Sequence, residues 1–169
     1  MWVTAPEGNA LELFAVRRTD AFLAFPPEPQ ELRDRDIGEV ILRTATDKPW
    51  SDYFCCVLYS NRTWVKNHAI AAKRAVRAML KAADLCGAQP KLAAHFLVDH
   101  GFTKRYDYAA QALTDIPYGA WREFDAEDSM RFYALGLYEA GMIQSSPNKV
   151  LSEGADWRVL NELRRELKN

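Results

Sequence analysis

The sequence has little cysteine, no long apolar run and no block of one charge, and each shortage closes off a class of protein. Its three cysteines, Cys55, Cys56 and Cys86, are too few and too unevenly spaced for a disulfide framework or for zinc held by paired C-x-x-C elements. The apolar runs, of which Tyr53 to Tyr59 is the longest kind, fall far short of the roughly 20 residues that cross a bilayer. No transmembrane helix is expected. Lysine and arginine total 22 against 23 aspartate and glutamate, for a net charge of -1, and the cations are scattered. Nothing therefore resembles the basic patch that neutralises a phosphate backbone, and nucleic acid is not an expected partner. G-x-S-x-G, Walker and G-x-G-x-x-G motifs are absent as well. Residues Met1 to Pro6 show no cationic stretch followed by an apolar segment. The expectation is a cytoplasmic protein, or a longer precursor whose beginning is missing.

What is present is an ordinary globular composition, 49% hydrophobic and 27% charged over 169 residues, enough for one domain or two unequal lobes. After a turn at Pro6-Glu7-Gly8-Asn9, residues 10–18 are rich in helix formers and end in cations that suit a helix C-terminus. The run Asp20 to Phe25 reads as a buried strand stopped by Pro26-Pro27. Glu28 to Arg33 reads as a helix whose first turn tolerates proline. The β-branched stretch Glu39 to Thr44 then closes a small β-α-β unit. Tyr53 to Tyr59 reads as one further strand, covered on both faces.

From Asn61 onward the pattern is helical. Val76, Met79, Leu80 and Ala83 recur on one face, while Lys73, Arg77 and Lys81 form a basic stripe, read chiefly as a solvated face. Pro90 starts a helix that Gly101 ends, and residues 105–113 form another. Asp125 caps a helix that Gly141 terminates. Asp156 caps a last one, in which Leu160, Leu163 and Leu167 share a face with Trp157 and Arg158 can pair with Glu162.

Chemistry-bearing patterns are few. His95 and Asp99 stand at helical i, i+4 spacing, but two ligands do not make a metal site. On a strand the adjacent Cys55 and Cys56 point to opposite faces, and small buried hydrophobes are their expected role. Glu127 and Asp128 sit in the first turn of a helix, where the macrodipole accounts for them. No catalytic residue, metal ligand set or cofactor is expected. The stretch Phe25-Pro26-Pro27-Glu28-Pro29 is different, because stiff prolines ahead of a helix N-terminus build a rim with free amides. A purely structural turn explains it equally well.

The segments Asp20 to Leu32, Trp50 to Cys56, Asn61 to His68 and Tyr133 to Ile143 together resemble the second half of ABC-transporter solute-binding proteins of the nitrate/sulfonate/taurine, thiamine-pyrimidine-synthase-like family. The resemblance implies an α/β, periplasmic-binding-protein-like (type II) fold, here partial and with a mostly helical C-terminal half. Residues 1–48 would be the remnant of one α/β lobe (strand-turn-helix-strand), and 49–169 the returning lobe, with Trp50-Ser51-Asp52 as a hinge crossing. It implies a small organic or anionic solute bound between lobes by Pro27 and Glu28 from one side and by Tyr53, Phe54 and Cys55 from the hinge side. It further implies an ABC permease as partner and a periplasmic location. The chain is about half the length of such a protein and is expected to be truncated. Two alternatives stay open: a thiamine-pyrimidine-synthase-like enzyme, motivated by Cys55-Cys56 and the histidines, or a non-binding remnant lobe that forms a homodimer through an exposed sheet edge.

Overall fold

A computed structural model describes residues 9–167. Pro6, Glu7 and Gly8 of the expected first turn lie outside the described residues. The elements are α1 (Ala10–Ala15), α2 (Glu28–Asp34), a 3-10 turn (Trp50–Asp52), α3 (Arg62–Asn67), α4 (Ala69–Ala88), α5 (Pro90–Asp99), α6 (Tyr106–Asp115), a second 3-10 turn (Tyr118–Arg122), α7 (Ala126–Glu139), α8 (Pro147–Lys149), a π turn (Val150–Gly154) and α9 (Arg158–Glu166). Among the described residues there is no strand and no sheet. That corrects the expectation of an α/β, periplasmic-binding-protein-like (type II) fold. It also removes the sheet edge on which the expected homodimer depended.

The three strand-like runs are coil and bends instead. Asp20 to Phe25, Glu39 to Thr44 and Tyr53 to Tyr59 carry the β-branched and aromatic side chains of strands, yet no backbone ladder joins them to one another. Strand propensity expresses the fit of a side chain to a pleated, half-buried surface, and here that surface is missing. Ile41 is 85% exposed and Tyr59 90% exposed.

Several helix ends are set locally, although the first helix stops at Ala15, short of Arg17 and Arg18, the cations expected at its end. Asn9 accepts from the Leu11 amide and Asp125 from the amides of Glu127 and Asp128, so each satisfies donors that a helix start leaves orphaned. Gly101 (φ 73°) and Gly141 (φ 68°) take left-handed conformations just past α5 and α7.

The chain divides into two compact units, residues Met1–Arg43 with Gln89–Ile116, and Thr44–Ala88 with Pro117–Asn169. In the first, α6 packs against both α5 and α2. Ala93 and Ala94 on α5 and Ala109 and Ala112 on α6 are buried, and faces this small let helix backbones approach closely. Leu11, Leu32, Tyr108 and Leu113 supply the larger apolar contacts.

In the second unit α4 carries the Tyr118–Arg122 turn and α9, while α7 packs on α8 and the π turn. Leu163, fully buried, anchors α9. The expected solvated stripe on α4 is instead engaged: Lys73 donates to Glu162 (2.5 Å) and to Glu166 (2.7 Å), and Arg77 pairs with Glu166. Glu162 therefore faces Lys73, and Arg158 pairs with Asp156 at 2.6 Å rather than with Glu162. Farther along α4, Asp84 accepts from the Trp121 indole (2.8 Å) and bidentately from Arg122 (2.5 and 2.8 Å).

Where α4 meets that turn, a Cβ on Gly87 would lie 2.8 Å from the amide nitrogen of Gly119 and 3.1 Å from its Cα. Alanine has a helix propensity advantage of up to about 1 kcal/mol over glycine, but overpacking against backbone costs about 1–3 kcal/mol. The clash wins: Gly87→Ala is expected to lower stability by about 1 kcal/mol in urea denaturation, despite being a change to a better helix former.

Acid sensitivity follows from carboxylates with cationic partners. The Arg158 hydrogen bond holds the Asp156 carboxyl at about 2, below its ordinary 3.8, and Arg122 likewise pulls Asp84 down. A depressed carboxylate stabilises the fold above its unfolded pKa and loses that contribution as pH falls through the folded value. Thermal midpoints are expected to drop as pH falls from 3.8 toward about 2, with a shallower slope in Asp156→Asn.

Candidate functional site

Within the first unit, α2 and α6 frame a groove of about 400 Å³ lined by Gln30, Arg33, Asp34, Asp107, Tyr108 and Gln111. Helical spacing accounts for the lining, since Gln30, Arg33 and Asp34 stand at i, i+3 and i+4 on α2 and Asp107, Tyr108 and Gln111 at i, i+1 and i+4 on α6.

The polar groups form a connected set. The Tyr108 hydroxyl donates to Asp34 Oδ2 at 2.7 Å, and Arg105 reaches the same oxygen at 3.3 Å. Arg105 is gripped by Asp107 through two hydrogen bonds of 2.9 and 2.5 Å and lies 4.0 Å over the Tyr108 ring. Arg33 reaches across to Asp115 at 3.1 Å. The bond to Asp34, then burial, pushes the Tyr108 phenol up, and the Arg105 guanidinium pulls Asp107 below the usual carboxylate range.

One group stands outside this set. Gln30 is only 4% exposed, and its Oε1 is buried with no hydrogen-bond partner. A buried acceptor left unpaired costs about 1–3 kcal/mol, so its place on the groove wall calls for a donor. Among the lining residues the carboxylates Asp34 and Asp107 outnumber the one guanidinium, Arg33. A second concavity of about 520 Å³ is lined by Arg158, Glu162, Arg165 and Glu166, all from α9, and so has no opposing wall within that set.

Residues 1–98 match the NMT1-like family. The chain belongs to the NMT1-like family. NMT1-like proteins are the nitrate/sulfonate/taurine group of ABC solute-binding proteins, a family that is usually not enzymatic and typically periplasmic, with an ABC permease as partner in the parent system. The NMT1-like match takes in all of α2, whereas α6 lies beyond it. No curated protein and no solved structure matches the chain. No described helix is long and apolar enough to cross a membrane.

The residues singled out from sequence fall in both units. Pro27 is exposed at the N-cap of α2, and Glu28 turns back to accept from the Phe25 amide at 3.0 Å. The amides of Glu28, Gln30 and Glu31 bond to the carbonyls of Phe25 and Pro27, so the rim expected there has no set of free amides. In the second unit Tyr53 stacks on Phe132 (ring centroids 3.9 Å apart, planes 10° apart), and Phe54 meets Phe124 edge-on at 6.3 Å. Cys55 and Cys56 are both exposed with their sulfurs 3.2 Å apart. This corrects the reading of buried thiols on opposite faces of a strand. His95, weighed for a metal, lies against the Tyr106 ring at 4.3 Å. Among the described residues no group of three or more His, Cys, Asp and Glu is arranged to hold a metal ion.

Gln30, Arg33, Asp34, Arg105, Asp107 and Tyr108 were not singled out from sequence. A glutamine one turn into a short helix, on the same side as Arg33 and Asp34, was the available signal. Nothing in the sequence pattern pairs α2 with α6 across about 75 residues of chain.

Proposed function

We propose that this NMT1-like chain is a substrate-binding component of an ABC importer and that it takes a small organic solute in the groove between α2 and α6. The observation that carries this reading is Gln30, a residue of the groove wall whose buried Oε1 has no hydrogen-bond partner. An acceptor held without a donor favours a ligand that brings one, and the carboxylates of Asp34 and Asp107 favour the same chemistry. The solute class is therefore one with an N–H donor, an ammonium or amide group, while Arg33 on the same wall is already paired with Asp115. In this reading Glu28 and Pro27 fix where α2 begins, and so position Gln30. Tyr53, Phe54 and Cys55 serve the second unit, where both rings already pack on other aromatics, Tyr53 stacked and Phe54 edge-on.

The test is a thermal-shift screen of the purified chain against taurine and aminopyrimidines, which carry N–H donors, and against nitrate and simple alkanesulfonates, which do not. A ligand at 100 times its dissociation constant stabilises the folded state by about 2.7 kcal/mol. Shifts are expected with the donor-bearing compounds alone. Shifts with nitrate or alkanesulfonates alone would contradict the assigned chemistry, and a cooperative melt that no compound moves would contradict binding by this chain.

A further inference from the structure

The vicinal thiols of the second unit play no part in the solute groove. We propose that Cys55 and Cys56 are a reversible redox modification site, which closes to a vicinal disulfide with a low-molecular-weight disulfide as electron acceptor. Three observations carry this. The sulfurs are 3.2 Å apart with both thiols free, so bond formation needs little movement of either side chain. Both residues are exposed, which gives an exchange partner access. They also lie between the 3-10 turn Trp50–Asp52 and α3 in coil with no ladder to break.

The chemistry balances with oxidised glutathione as the acceptor. One thiolate, Cys55 or Cys56, attacks a glutathione sulfur and expels one glutathione thiolate, leaving a mixed disulfide on the protein. The neighbouring cysteine, having lost its proton, then attacks the protein sulfur of that mixed disulfide and expels the second glutathione. Two protein thiols and one glutathione disulfide become one protein disulfide and two glutathione thiols.

Geometry makes the product labile. Adjacent Cα atoms are about 3.8 Å apart across a trans peptide, short of the roughly 4.4–6.8 Å that unstrained disulfides span. Strained and exposed disulfides are the readily reduced ones, so this bond opens again under mild thiol. Partial burial of the sulfur, then the Cys56 hydrogen bond, pushes the Cys55 thiol up, and because the thiolate is the nucleophile closure is expected to quicken as pH rises above neutrality. The consequence is local: an eight-membered ring would stiffen the peptide next to Tyr53 and Phe54, whose rings hold this segment to Phe132 and Phe124.

The experiment treats the reduced full-length chain with oxidised glutathione, quenches with acid, and combines intact mass with peptide mapping. The expected result is the loss of two hydrogens without retained glutathione, mapped to the peptide containing Cys55 and Cys56 and reversed by dithiothreitol. Cys56→Ser, at an exposed position, is expected to fold normally by circular dichroism and to keep one glutathione on Cys55. Retained glutathione on the wild-type pair, a bond to Cys86, a disulfide-linked dimer, or no reaction would each overturn the proposal.

Discussion

Leu163→Ala is expected to lower the stability of the chain by about 3 kcal/mol, within the 2–5 kcal/mol of a buried leucine truncation, and to drop the melting temperature by about 10 °C for a chain of this size. Leu163 is 0% exposed and sits on the helix whose polar side carries Glu162 and Glu166 to Lys73 and Arg77. Those ion pairs are partly solvated, and pairs of that kind contribute little. The burial of Leu163 is therefore expected to contribute more to seating α9 than those pairs do. The buried core of the second unit is otherwise built from Ala72, Ala126, Ser129 and Ala134, so few large side chains remain to close the cavity. Glu162→Ala, which removes one ion pair and no buried surface, is expected to shift the melt far less. Equal shifts for the two variants would reverse this ranking.

Gln30→Met is expected to act in opposite directions on stability and on binding. Methionine keeps the length and approximate volume of glutamine, so the packing of α2 on α6 survives. The buried acceptor disappears, and with it the cost of leaving Oε1 unpaired. The free protein is expected to gain about 1 kcal/mol, read as a higher denaturation midpoint. The dissociation constant of a donor-bearing solute is expected to rise at least tenfold, the equivalent of about 1.4 kcal/mol of binding lost. A glutamine serving packing alone would leave solute binding unchanged, so the two readouts separate a binding role from a structural one.

Helix punctuation was legible in the sequence wherever a signal is local. Asp125, Pro90, Gly101 and Gly141 each act within one turn of their own position. The strands were misread for the complementary reason. A run such as Glu39 to Thr44 has the composition of a strand, but pairing is a property of two segments, and composition cannot supply the second. Partnership across the chain was equally hidden. The basic stripe Lys73–Arg77 looks solvated until α9 is placed against it, and Gln30 looks like an ordinary helix-former until α6 covers it. Family membership, by contrast, was legible from the segments that resembled solute-binding proteins, and the match over residues 1–98 bears it out.

The most direct test of the solute groove is amide hydrogen exchange on the full chain, with and without a saturating donor-bearing solute from the thermal-shift screen. Binding in the groove predicts slowed exchange concentrated in α2 and α6, at residues 28–34 and 106–115, and in Gln30→Met the same protection only at about tenfold higher solute concentration. Protection confined to other segments, with these two helices unchanged, would contradict it.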